Sequence, residues 1–181
     1  FDLERFKNHI KELFSKNDRE GFYSWSGLRY FLYEYELYLQ DNANMKVSWE
    51  DFNKRKKEDT IEHIYPQSPN DIYWKNRFGH LKPSEKRQYL NSLGNLLLLN
   101  RSKNSKLQNY DFDKKKCLLN KDGKEIGYYN GSYSEIEVSK HKEWTPDEIK
   151  KRGLLMLQFM EERWKFSFDN WNISKEDILF P

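Results

Sequence analysis

The sequence predicts an α+β fold, mostly helical, with a small strand–strand–helix unit embedded in an α-helical body. Three observations carry this. Apolar residues recur at helical spacing near both ends of the chain. Two short segments rich in β-branched, aromatic or leucine residues stand in the centre. Between the second of these and the last helix lies a polar stretch that contains three glycines in "KDGKEIGYYNGSYSE".

Residues 2–15 place Leu3, Phe6, Ile10, Leu13 and Phe14 on one stripe, which predicts a first helix. "NDREGFYSWSG" at 17–27 interrupts it. A second helix follows from about Leu28 to Gln40, with Leu28, Phe31, Leu32, Tyr35 and Leu39 inward and Asp41, Asn42 and Asn44 closing it. Ser48 with Asp51 three residues on is a capping signal for a short helix whose apolar side is Trp49 and Phe52.

"TIEHIYP" alternates in the manner of a strand and stops at Pro66, and residues 67–80 read as loop. "KPSEKRQYLNSLG" predicts a short helix, with Pro83 in its first turn and Gly94 past its end. "NLLLLN" is a second, buried strand, and Asn100 or Ser102 caps a helix over about 103–118 with Leu107 and Phe112 inward. Residues 120–143 read as an extended insertion or surface loop. "TPDE" opens the last helix, with Thr145 as N-cap, Pro146 first and Glu148 third; Ile149, Leu157, Met160 and Trp164 face inward and it ends near Lys165. The chain therefore divides, within one domain, into 1–57 (helical), 58–118 (strand–strand–helix), 119–144 (insertion) and 145–181 (last helix and tail).

Composition narrows the function. The net charge of +3 arises from 32 basic and 29 acidic residues, so the chain is no polybasic arm, but "NKRKK" at 53–57 and "DKKK" at 113–116 are local cationic runs. A single cysteine, Cys117, excludes an internal disulfide and any CxxC zinc knuckle, and it fits a reducing, cytoplasmic setting. No apolar run approaches the ~20 residues a bilayer needs, so no membrane partner is expected. Neither a Walker loop nor a GxGxxG loop is present. The chain begins at Phe1, which reads as a piece of a longer protein.

His63 closes the first strand, Asn95 opens the second, and Asn104 follows nine residues later at the start of the next helix. A neutral imidazole can take a proton from water near pH 7. Asn104 offers an amide carbonyl oxygen close to the strand end, and Asn95 is placed to bond the backbone after His63 and orient the ring. Lys103 and Lys106 flank Asn104 as candidates for neighbouring phosphates, with Lys114 and Lys115 extending that track.

This His…Asn…Asn order resembles the HNH nucleases and their ββα-metal finger, with a spacing close to that of the HNH domain of CRISPR effector nucleases. A nearer likeness runs through "IEHIYPQ", "LGNLLLLNRSKNSKLQNYDFDKKK" and "WTPDEIKKRGLLML", together with "GLRYFLYEYE" at 27–36. These are similar to the C-terminal nuclease domain of GmrSD-type modification-dependent restriction enzymes, whose relatives include phage-defence nickases.

The resemblance implies a divalent-metal-dependent DNA endonuclease that nicks one strand. It assigns His63 as general base, Glu62 and Asn104 as ligands of Mg²⁺ or Mn²⁺, and Asn95 as the brace. It adds Arg152 to the DNA-contacting set, with a structural salt bridge as the equal alternative for that residue. Its implied partners are double-stranded DNA, phage-derived or modified, and an N-terminal ParB-like NTP-hydrolysing domain absent from this chain. One tension is visible already: adjacent residues on a regular strand face opposite ways, so Glu62 and His63 share a site only if the strand ends or bulges there. A non-catalytic DNA-binding module and an RNase remain the alternatives. Tyr65 and Trp74 either fill the core or stack near a duplex.

Overall fold

The computed structural model describes residues 2–16, 19–40 and 48–181, without the side chain of Trp49. The expected stops at Asn17, Asp18, Asp41, Asn42 and Asn44 lie outside the described residues, as does the Trp49 side chain. Helix α1 (Leu3–Ser15) opens where Asp2 accepts the Arg5 amide at 2.9 Å, and it buries the whole predicted stripe. Helix α2 (Leu28–Leu39) follows. Helix α3 (Trp49–Glu58) is capped by Ser48, and its basic run at 53–57 is exposed throughout, a solvated face.

Strand β1 (Asp59–His63) pairs antiparallel with β2 (Leu96–Asn100), Asp59 opposite Asn100 and His63 opposite Leu96. Between them, where a loop was expected, lies α4 (Ile72–Phe78). Asp71 caps it through the Tyr73 amide at 2.8 Å, and Trp74 and Phe78, four residues apart, are buried on one face. Tyr65 lies parallel on Phe78 at 3.8 Å, and the Trp74 indole donates to the Tyr110 carbonyl. Tyr65 and Trp74 are core residues. Helix α5 (Pro83–Leu90) is where the sequence predicts it.

The single helix expected over 103–118 is two. Helix α6 (Arg101–Leu107), capped by Asn100, stops at Gln108, whose φ of 39° leaves the helical region. Helix α7 (Phe112–Lys116) then restarts under an Asp111 cap. The insertion is also more than surface loop. It forms a hairpin, β3 (Leu118–Leu119) with β4 (Glu125–Ile126), and a helix, α8 (Tyr133–Ser139), and it buries Tyr128 and Val138 completely. Helix α9 (Pro146–Trp164) begins with the predicted Thr145–Glu148 capping box, and α10 (Lys175–Leu179) buries Ile178 and Leu179.

Two apolar cores result, and the β1–β2 sheet stands between them. One gathers α1, α2, α9 and α10 with Leu96, and Ile61 and Leu98 pack on it. The other holds Ile64, Tyr65, Trp74, Leu97, Leu99, Leu107, Phe112, Tyr128, Trp144 and Ile149. Alternation along β2 sends Leu96 and Leu98 one way and Leu97 and Leu99 the other, which is why every position of "LLLL" is apolar. Each fully buried leucine contributes roughly 2 kcal/mol.

At the start of β2 the sheet presses on α9. A Cβ at Gly94 would stand 2.0 Å from the Ile149 carbonyl oxygen, so only glycine fits. Among the described residues no helix is long and apolar enough to cross a membrane.

Candidate active site

Strand β1 keeps its pairing through His63, so it neither bulges nor ends before that residue. Glu62 and His63 therefore point to opposite faces of the sheet. This decides the tension seen in the sequence, and it separates two groups expected to share one metal site.

His63 shares its face with Ile61 and lies against Tyr23, ring centroids 4.6 Å apart. Its Nε2 is 3.3 Å from Oδ1 of Asn91. An amide oxygen only accepts, so Nε2 carries the proton and donates, leaving Nδ1 as the basic atom. No hydrogen bond to Nδ1 is made among the described residues. The side chain is 6% exposed. Burial pushes its pKa down, the Asn91 bond opposes this and the Lys115 charge adds to it, leaving it at about 4.

That depression has a signed consequence for stability. A histidine whose folded pKa lies below its unfolded value disfavours the folded state once protonated, so stability is complete above about pH 6.5 and is lost as the pH falls towards 4. The loss is roughly 3 kcal/mol. Urea unfolding of wild type and His63→Gln across this range should show the stability advantage of the wild type shrinking by that amount. An advantage that does not change with pH would refute the assignment.

On the other face, Glu62 Oε1 accepts from Lys115 Nζ at 2.5 Å and from the Tyr128 hydroxyl at 3.0 Å. The same ammonium donates to the His63 carbonyl at 3.0 Å. Lys115 and Tyr128 are wholly buried. Burial, then the neighbouring Glu62 charge, raises the Tyr128 phenol well above its ordinary range, so it stays a donor. Asn104 lies on this side too, its Nδ2 donating to Thr60 Oγ1 at 2.9 Å, and Thr60 in turn donates to the Leu99 carbonyl.

The structure thus brings Glu62 and Asn104 to one side and leaves His63 on the other. These residues do not fit a divalent ion as they stand. The Glu62 carboxylate is neutralised by an ammonium, and among the described residues no group of three or more His, Cys, Asp or Glu side chains is placed to hold a metal.

Asn95 is a fully engaged brace. Its Oδ1 accepts from the Tyr65 amide at 2.8 Å and the Trp144 indole at 3.1 Å. Its Nδ2 donates to the carbonyls of Tyr65 at 3.0 Å and Leu90 at 2.9 Å. It grips the backbone two residues past His63 without touching the imidazole.

The cationic residues divide. Lys106 is exposed, and Lys103 reaches Glu135 at 2.6 Å and the Gly127 carbonyl. Both line an open cavity of about 330 Å³ with Asn100, Ser102, Asn120 and Lys124. Lys114 is exposed and paired with Asp111 at 2.8 Å. Lys115 and Arg152, expected on DNA, are interior residues. Arg152 is 1% exposed; Nη1 donates to the Gly94 and Leu96 carbonyls at 2.9 Å, and Nε pairs with Glu137 at 3.1 Å. A charge already desolvated against a carboxylate does not reach for a phosphate.

Sequence reasoning missed Tyr23, Asn91, Tyr128 and Trp144. Only Trp144, set beside the capping signal "TPDE", stood near a legible feature.

The family model described as GmrSD restriction endonucleases, C-terminal domain, matches residues 7–159. No curated protein and no solved structure matches the chain.

Proposed function

The chain belongs to the family of GmrSD restriction endonuclease C-terminal domains, and from that premise we propose that it hydrolyses DNA phosphodiester bonds, nicking one strand of a duplex. The observation that carries the reading is His63: a neutral imidazole with Nδ1 unengaged among the described residues, on a backbone gripped from both sides. In this mechanism Nδ1 takes the proton of a water that attacks the phosphorus in line with the departing oxygen. Asn95 fixes the segment after the base. Lys106, with Lys124 across the same cavity, holds neighbouring phosphates without reading bases, while Lys103 stays on Glu135 and borders the track.

The DNA is phage-derived or modified, and a ParB-like NTP-hydrolysing domain on the N-terminal side selects it in the cytoplasm. The likeness to HNH enzymes implies Mg²⁺ or Mn²⁺. Glu62 is engaged by Lys115, so the residues present do not hold such an ion as they stand.

Supercoiled plasmid is incubated with wild type and His63→Ala, with Mg²⁺, with Mn²⁺ and with neither. Wild type is expected to give open circles, and His63→Ala to be slower by about 10²-fold or more. Equal rates would remove His63 from the chemistry. Binding without turnover by the wild type would favour the non-catalytic module, and cleavage of RNA alone the RNase.

A further inference from the structure

We propose that Lys115 is the resident cation of Glu62 and a positioning residue for His63, so that Glu62 acts through Lys115 and not as ligand of a divalent ion. Of the three lysines on α7, Lys114 and Lys116 pair with Asp111 and Asp113 near the surface, and only Lys115 enters the core. There its ammonium meets the Glu62 carboxylate at 2.5 Å and the His63 carbonyl at 3.0 Å, while Tyr128 donates a second hydrogen bond to the same carboxylate oxygen.

A buried carboxylate needs a counter-charge and hydrogen bonds, and this one has both. An ion seated on Glu62 would stand beside a like charge in a low-dielectric interior, or would strand Lys115 without a counter-charge. The second bond of the ammonium has another effect. It fixes the carbonyl of His63, while Asn95 fixes both backbone polar groups of Tyr65, so the peptides after the imidazole are tied from two elements. The positioning half rests on His63 being the base; the cation half does not.

The first test uses the wild-type protein. Lysine ¹⁵N side-chain NMR should show one slowly exchanging ammonium signal, absent in Lys115→Met and unchanged when Mg²⁺ is added in millimolar excess. A missing signal without metal, or one displaced by Mg²⁺, overturns the cation assignment. In parallel, Glu62→Gln should leave Mg²⁺ affinity as in wild type; a clear weakening makes Glu62 a ligand.

For positioning, Lys115→Met should shift the His63 imidazole resonances and lower the nicking kcat about tenfold with KM for plasmid unchanged. Unmoved resonances or a wild-type kcat overturn it. A wild type that does not nick at all defeats the proposed function and leaves the ammonium signal to decide the cation half.

Discussion

Replacing Asn95 with Ala is expected to destabilise the protein by on the order of 5 kcal/mol, which is comparable to the whole stability of many domains. The side chain is completely buried and makes four hydrogen bonds to three separate parts of the chain. Truncation leaves the Tyr65 amide, the Trp144 indole and two carbonyls without their partner. Each unsatisfied group costs about 1–3 kcal/mol, and a water entering the small cavity recovers part of the sum. Urea unfolding should show a much lower midpoint at unchanged slope. The control is Asn100→Ala, which removes an exposed helix cap worth about 1 kcal/mol. If the two variants unfold alike, the amide is not the brace described above.

The second large effect concerns the buried pair. Glu62→Ala leaves the Lys115 ammonium in a dry interior with only a carbonyl partner, and such uncompensated charges cost about 3–5 kcal/mol. Lys115→Met alone should cost a similar amount by stranding the carboxylate. The double variant Glu62→Ala/Lys115→Met removes both charges, and its loss of stability should fall well below the sum of the single losses. Additive losses in the cycle would mean that the two groups do not act on each other.

Much of the frame was legible because its signals are local. The stripe of α1, the capping box of α9 and the run of leucines in β2 each lie within a few turns or residues. Helix α4 was not, since two turns with one pair of aromatics do not build a periodic pattern. Nor was the break at Gln108, where a non-glycine residue takes a positive φ that no turn motif announces.

The site was half legible. The contact of Asn95 with the backbone after His63 was legible from the order of the elements, and the opposed faces of Glu62 and His63 from the alternation of any strand. What lies against them was not. Lys115 is 53 residues from Glu62, and Tyr128 is 66, inside an insertion whose polarity conceals that buried ring. In the same way the choice for Arg152 between a DNA contact and a structural salt bridge stays open until its 58-residue reach to Gly94 is seen.

The contact between Gly94 and α9 bears on how such an enzyme is made. Arg152 and the Ile149 backbone lie more than fifty residues after Gly94, so the contacts that hold the start of β2 against α9 cannot form until the chain has been synthesised past α9. A ribosome that has released residues 1–144 has already delivered His63, Asn95, Asn104 and Lys115. It has not delivered the helix that fixes the strand linking them. A chain ending at 144 is expected to be cut rapidly by protease between 59 and 100, whereas the longer chain resists. Synthesis order would then leave the strand that follows Asn95 unbraced until the last long helix emerges.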